Sequence, residues 1–169
     1  MTTLIKNGTV VTAADMTVAD VLVDGERIQA VGTGLAETGT GAGADTVIDA
    51  AGRYVMPGGI DVHTHMELPF GGTFASDDFA TGTAAAAWGG TTTIVDFAVQ
   101  GYGESLAQGL DTWLAKAEPK SHIDFGLHLI VREINDGILR EMDTMIDRGV
   151  PAYAETCPQY LYLDRKSVV

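Results

Sequence analysis

The sequence predicts an α/β fold in which a short N-terminal β-module precedes part of a TIM-type (β/α) barrel, about three β/α units long. Three observations support this. Short strand-like runs crowd residues 4–31. After residue 53, apolar and β-branched runs alternate with stretches of helical periodicity, the mark of parallel β/α units. An eight-unit barrel takes ~250 residues, roughly 31 per unit, so residues 54–169 have room for fewer than four units. An open doubly wound sheet is the plainer alternative, but no G-x-G-x-x-G follows any strand here.

In the β-module, Leu4 and Ile5, Val10 and Val11, Asp20 to Val23 and Arg27 to Val31 read as strands. The Asp24–Gly25 pair marks a hairpin, because a two-residue primed turn needs positive φ at low cost. The Gly-, Thr- and Ala-rich run from Gly32 to Thr46 reads as an exposed loop, and the module is expected to end at Arg53. The next domain, 54–169, opens with a strand over Tyr54 to His65. Ser76 suits an N-cap, Asp77 and Asp78 suit a first helical turn and Gly89 suits a stop, giving a helix from about Asp77 to Trp88. Thr91 to Ala98 is a second strand. Leu106, Leu110, Trp113, Leu114 and Ala117 recur at helical spacing, and Phe125 to Val131 is a third strand. Ile134, Ile138, Leu139, Met142, Met145 and Ile146 form one face of a last helix, which Gly149 ends. Trp88 and Trp113 are expected to pack.

Composition narrows the function. Ten basic against 23 acidic side chains, a net charge of −13, leave little to hold nucleic acid or an anionic membrane. Apolar residues at 46% and charged residues at 20% are those of a chain that folds around a core. The opening lacks the features of a secretory signal, and no run approaches the roughly 20 apolar residues of a membrane span, so a soluble cytoplasmic protein is expected. Cys157 is the single cysteine, which excludes an internal disulfide. Without a histidine or second cysteine nearby, it reads as a structural thiol.

Asp61, His63 and His65 alternate along the strand and share a face, which lets two neighbouring imidazoles converge on one metal. They sit at the strand's C-terminal end, the mouth of a β/α barrel, and the apolar, Gly-rich loop 66–75 follows. A His-x-His pair alone could equally fill the polar end of a buried strand. His128 reads as a core histidine, His122 as solvated, and Asp96 as either a ligand-orienting group or a loop-capping one.

Three segments in order decide the matter: PGGIDVHTH, DDFATGTAAAAWGGTTTIVDFAVQ and YAETCPQYLYLD. Together they resemble the dihydropyrimidinase and D-hydantoinase branch of the amidohydrolase superfamily, from Leu4 to about Asp164. The resemblance implies a β-sandwich module completed by C-terminal strands, and a two-zinc site in which His63 and His65 hold one ion. It also implies a carboxylated lysine on the fourth strand, histidines on the fifth and sixth, and an aspartate on the eighth. The expected reaction opens a small cyclic amide, a dihydropyrimidine or hydantoin, to an N-carbamoyl amino acid. Met66, Leu68 and Phe70 would contact the ring's substituent, and intact relatives are expected to be tetramers.

The sequence departs from that pattern after the third helix, passing from residues 147–150 directly to the segment that normally follows the sixth strand. This reads as an internal deletion with its junction near 149–151, and the closing DRKSVV as an unrelated end. Lys116, Lys120 and Lys166 do not match the bridging lysine. The expectation is a truncated chain that is inactive alone, with a non-catalytic amidohydrolase-like module or an inert fragment as the alternatives.

Overall fold

The computed structural model describes residues 1–39 and 41–150, so Cys157, Lys166 and the segment from residue 151 onward lie outside the described residues. The chain divides into two compact units at Gly58 and Gly59.

The first unit is one five-stranded sheet. Strand β1 (Thr2–Val11) pairs antiparallel with β2 (Met16–Asp24), which pairs with β3 (Arg27–Gly32). The other edge of β1 takes two short parallel strands in succession, β4 (Thr46–Asp49) and β5 (Tyr54–Val55). The turn between β2 and β3 is two residues long, Gly25–Glu26, one residue later than the sequence suggests. Gly25 has φ +56°, as a primed turn with glycine at its first central position requires.

One expectation is corrected here. Residues 4–11 form one strand rather than two, with a bulge at Asn7–Gly8 in place of a break. The β1–β2 register shifts by one between Ile5 and Gly8, and Asn7 takes φ +62°, a conformation Asn tolerates better than most residues. The loop after β3 is mostly exposed, as expected, and anchored at two points. Leu35 donates its N–H to Asp20 at 2.9 Å, and Gly41 is buried so close to Leu4 that an added Cβ would lie 3.1 Å from Leu4 Cδ1.

The second unit is built on a three-stranded parallel sheet in the order β10, β9, β6. Its elements are β6 (Gly59–Thr64), a hairpin of β7 (Pro69–Phe70) and β8 (Thr73–Phe74), α1 (Phe79–Trp88), β9 (Thr91–Val99), α2 (Leu106–Ala117), β10 (Asp124–Ile130) and α3 (Asp136–Asp147). Each new parallel strand joins the same edge as the last, with no reversal among the described strands. That progression is common to a barrel wall and to the first half of a doubly wound sheet, and the described strands form an open sheet. The expected first strand, 54–65, is two strands: β5 belongs to the first unit's sheet, which places the division at residue 58 instead of 53.

The helices follow their caps. Asp78, not Ser76, caps α1: its carboxylate accepts the Thr81 N–H at 2.8 Å while Thr81 Oγ1 accepts the Asp78 N–H at 3.2 Å, a reciprocal capping box. Ser105 and Gln108 form the same box at α2. Helix α3 ends in a Schellman motif. The Gly149 N–H reaches the Ile146 carbonyl and the Val150 N–H reaches that of Met145, with Gly149 at φ +86°.

Leu106, Leu110, Trp113 and Ala117 of α2 bury against Ile94 and Ala98 of β9, with Phe79, Leu127, Ile138 and Met145 completing the core. Each fully buried Leu or Phe contributes about 1.5–3 kcal/mol relative to exposure. Trp113 is buried as expected, but Trp88 is 93% exposed at the end of α1. Ile134, Leu139 and Ile146 are also exposed, so only part of the apolar face of the last helix is covered.

Asp20, on β2, is buried and accepts the Asn7 N–H at 2.9 Å as well as that of Leu35. Asp20→Ala leaves two backbone donors unpaired at about 1–3 kcal/mol each. Urea unfolding should therefore show a loss of several kcal/mol in the first unit, and a loss under about 1 kcal/mol would contradict this role.

Candidate functional site

The site begins with an irregularity in β6. Its parallel register with β9 runs Asp61 opposite Ile94 and then Thr64 opposite Asp96, so three steps on β6 match two on β9. This extra residue is a bulge, a device that re-aims side chains near functional sites. Simple alternation of Asp61, His63 and His65 is therefore interrupted. The His63 N–H is taken up by Asp61 Oδ1 at 3.1 Å, so Asp61 serves the bulge.

The two imidazoles converge all the same. Their ring centroids lie 5.0 Å apart with the planes at 84°. Two adjacent imidazoles offer two of the three protein ligands that a catalytic zinc takes. Both side chains are exposed. Beneath them lies Phe97 of β9, its ring 4.6 Å from that of His63 and 5.0 Å from that of His65. His128 of β10 packs on Phe97 from the other side at 4.9 Å, which puts it on the sheet face of the pair. Among the described residues no three His, Cys, Asp or Glu side chains converge as a metal-holding group.

The opposite face of β9 holds Asp96, which is fully buried. Its Oδ2 accepts the Thr64 hydroxyl at 2.9 Å and the Met66 N–H at 2.7 Å, and its Oδ1 accepts the Phe97 N–H at 2.7 Å. Asp96 and Phe97 thus meet the His63–His65 segment from the two faces of one strand. Phe97 carries no signal of its own in the sequence. Asp96 does, since a carboxylate in an otherwise apolar strand must find donors if it is buried.

The substrate-loop expectation needs revision for two of its three residues. Met66 is buried in the helix-covered core, its sulfur against Gly82, and Leu68 packs on the same cluster. Phe70 is 80% exposed on the β7–β8 hairpin, with Phe74 also exposed. Positive φ at Gly71 and Gly72 makes that tight turn. Both described lysines of this unit are engaged away from the imidazoles. Lys116 Nζ lies 4.1 Å over the Trp113 ring, and Lys120 pairs with Glu67 at 2.5 Å and with Asp78 at 3.5 Å. His122 is exposed, as expected, and its N–H donates to Thr83 Oγ1.

The amidohydrolase family pattern matches residues 54–156. The chain belongs to the amidohydrolase family. Within it, the chain is 55% identical over 157 residues to the D-hydantoinase of Streptomyces coelicolor, covering 90% of this chain and 33% of the relative. It is 44% identical over 151 residues to the dihydropyrimidinase of Rattus norvegicus, covering 89% and 29%. Among solved structures, the dihydropyrimidinase from Brevibacillus agri superposes with a TM-score of 0.83 at 52% identity, over 89% of this chain and 32% of that one. This amidohydrolase chain therefore spans about a third of the length of the curated relatives it matches.

The loop after β6 is pinned at both ends, and pH tests one of the pins. The Asp78 carboxyl is held below its ordinary value of 3.8, chiefly by the Thr81 N–H, then by the Thr81 hydroxyl, with Lys120 adding to it. A depressed folded pKa contributes stability that is complete above 3.8 and lost as pH falls through the folded value. Amide signals of Phe79 and Thr81 followed by NMR should titrate with a midpoint below 3.8. Asp78→Asn should remove the transition.

Proposed function

We propose that this chain supplies the His63–His65 element of a metal centre that hydrolyses a small cyclic amide, a hydantoin or dihydropyrimidine, to an N-carbamoyl amino acid. The observation that supports the reading is the adjacency of the two imidazoles at the end of a bulged parallel strand, in a chain whose relatives are named D-hydantoinase and dihydropyrimidinase. In the reaction, the oxygen of water joins a ring carbonyl carbon, the C–N bond breaks, and the nitrogen leaves with a proton. A zinc ion, if held here, would supply Lewis acidity toward the carbonyl oxygen and would acidify a water molecule. His63 and His65 would hold it through neutral ring nitrogens, Asp61 would keep the bulge that aims them, and Phe70 on the exposed hairpin would meet the ring substituent.

No helix of the described residues is long and apolar enough to cross a membrane, and the cytoplasm is the proposed compartment. Tetrameric assembly is proposed for the whole protein.

Calorimetric titration with Zn²⁺ tests the metal reading. We expect weak binding, since a catalytic zinc takes three protein ligands and this element offers two, and we expect His63→Ala or His65→Ala to abolish it. Absence of binding to the unaltered chain would leave the non-catalytic module as the better reading. Ring opening of hydantoin or dihydrouracil by the 169-residue chain alone should not exceed background. Hydrolysis that disappears with His63→Ala would show that two described ligands suffice.

A further inference from the structure

We propose that Asp96 is a positioning residue for the metal-holding pair: it fixes the register of β6 beyond its bulge and so decides which face of the strand His65 presents. This rests on the reading of His63 and His65 as ligands.

A bulge gives a strand one residue of slack. If the slack moved past His65, or healed, each later residue would turn to the other face, since side chains alternate with period two. Something beyond the bulge must hold the count. Backbone pairing does little there: Thr64 opposite Asp96 is the last matched pair between β6 and β9, and Thr64 is the last residue of β6. The Asp96 carboxylate takes over at that point. It grips the residue before His65 through the Thr64 hydroxyl and the residue after it through the Met66 N–H. His65 lies between two fixed points, with its ring on the opposite face against Phe97.

The chemistry requires a carboxylate. Three donors converge on two oxygens, and a carboxylate accepts all of them without offering a donor. An amide in its place turns an NH₂ toward either the Phe97 N–H or the Thr64 and Met66 donors. Buried and fully bonded, Asp96 avoids the cost of an unpaired buried charge. It touches neither imidazole in the structure and acts through the main chain.

Two variants and one control test this in the 169-residue chain. Asp96→Asn sets an N–H against an N–H. Thr64→Val removes one donor while keeping a β-branched strand residue, which protects the fold if Asp96→Asn does not express. Thr64→Ser restores the hydroxyl. The first readout needs no metal: ring-to-ring NOEs between His65 and Phe97. They are expected in the unaltered chain and in Thr64→Ser, and should be weakened or absent in Thr64→Val and Asp96→Asn while the Phe97–His128 NOEs persist. Full His65–Phe97 NOEs in folded Thr64→Val and Asp96→Asn would overturn the proposal.

The second readout is Zn²⁺ alone, followed by imidazole ¹H–¹⁵N spectra. His63 and His65 should shift together in the unaltered chain, and the variants should need about ten-fold more Zn²⁺, the lower end of what outer-sphere substitutions at metal sites cost. Unchanged affinity in both variants would overturn the positioning role. If the unaltered chain shows the NOEs but no Zn²⁺ shift at either histidine, the metal reading falls, while the register role of Asp96 stands on the NOEs.

Discussion

The alternation of side chains along β9 is the constraint on which the second unit depends. Ile94, Asp96, Ala98 and Gln100 face the helices and are each at most 1% exposed, while Phe97 stands on the other face among three imidazoles. One strand therefore builds the core with half of its residues and the floor of the site with the other half. Its polar members are satisfied inside. Gln100 donates to the Glu104 carbonyl and accepts the N–H groups of Arg132 and Glu133, tying the end of β9 to the loop after β10. A slip of one residue would expose the core residues and bury the aromatic floor together, so the arrangement is held by both faces.

The two units solve the same problem in the same way. In each, a strand carries a bulge, and a buried aspartate on its neighbour takes up backbone donors that the ladder no longer serves. Asp20 of β2 does this for Asn7, Asp96 of β9 for Met66. A carboxylate suits the task because it is short, held rigidly by the strand, and able to accept several donors at once.

Much of this could be read from the sequence, for reasons specific to each element. The alternation of β-branched runs with helical periodicity gave the order β6, α1, β9, α2, β10, α3, and Gly149 marked a helix end because capping is local chemistry, whereas the α1 cap fell to Asp78 rather than Ser76. What escaped was what depends on neighbours. Asn7–Gly8 has the composition of a turn, and only pairing with β2 makes it a bulge. Tyr54 and Val55 look continuous with β6 until β1 claims them. Met66 and Leu68 follow the histidines in an apolar loop, yet the pull of the helix-covered core on their side chains is a tertiary effect. The histidine pair stood out by its spacing, but spacing alone left a buried-strand role open, and the family resemblance selected the metal reading. Phe97 did not stand out, because an aromatic residue in a strand is the most ordinary of core residues.

His63, and His65 just beyond its end, ride on the outermost strand of the described sheet, since among the described residues β6 pairs with β9 alone. A strand with one free side keeps a row of unsatisfied amides and carbonyls and readily accepts another strand there. Any partner that extended the sheet along β6 would stiffen the segment between Asp61 and Met66, and an ion bridging the imidazoles would stiffen the same residues. The two events share one cost in lost motion, so whichever comes first lowers that cost for the other. Sheet growth and ion capture would then be cooperative across a single strand, with no movement of β9 required.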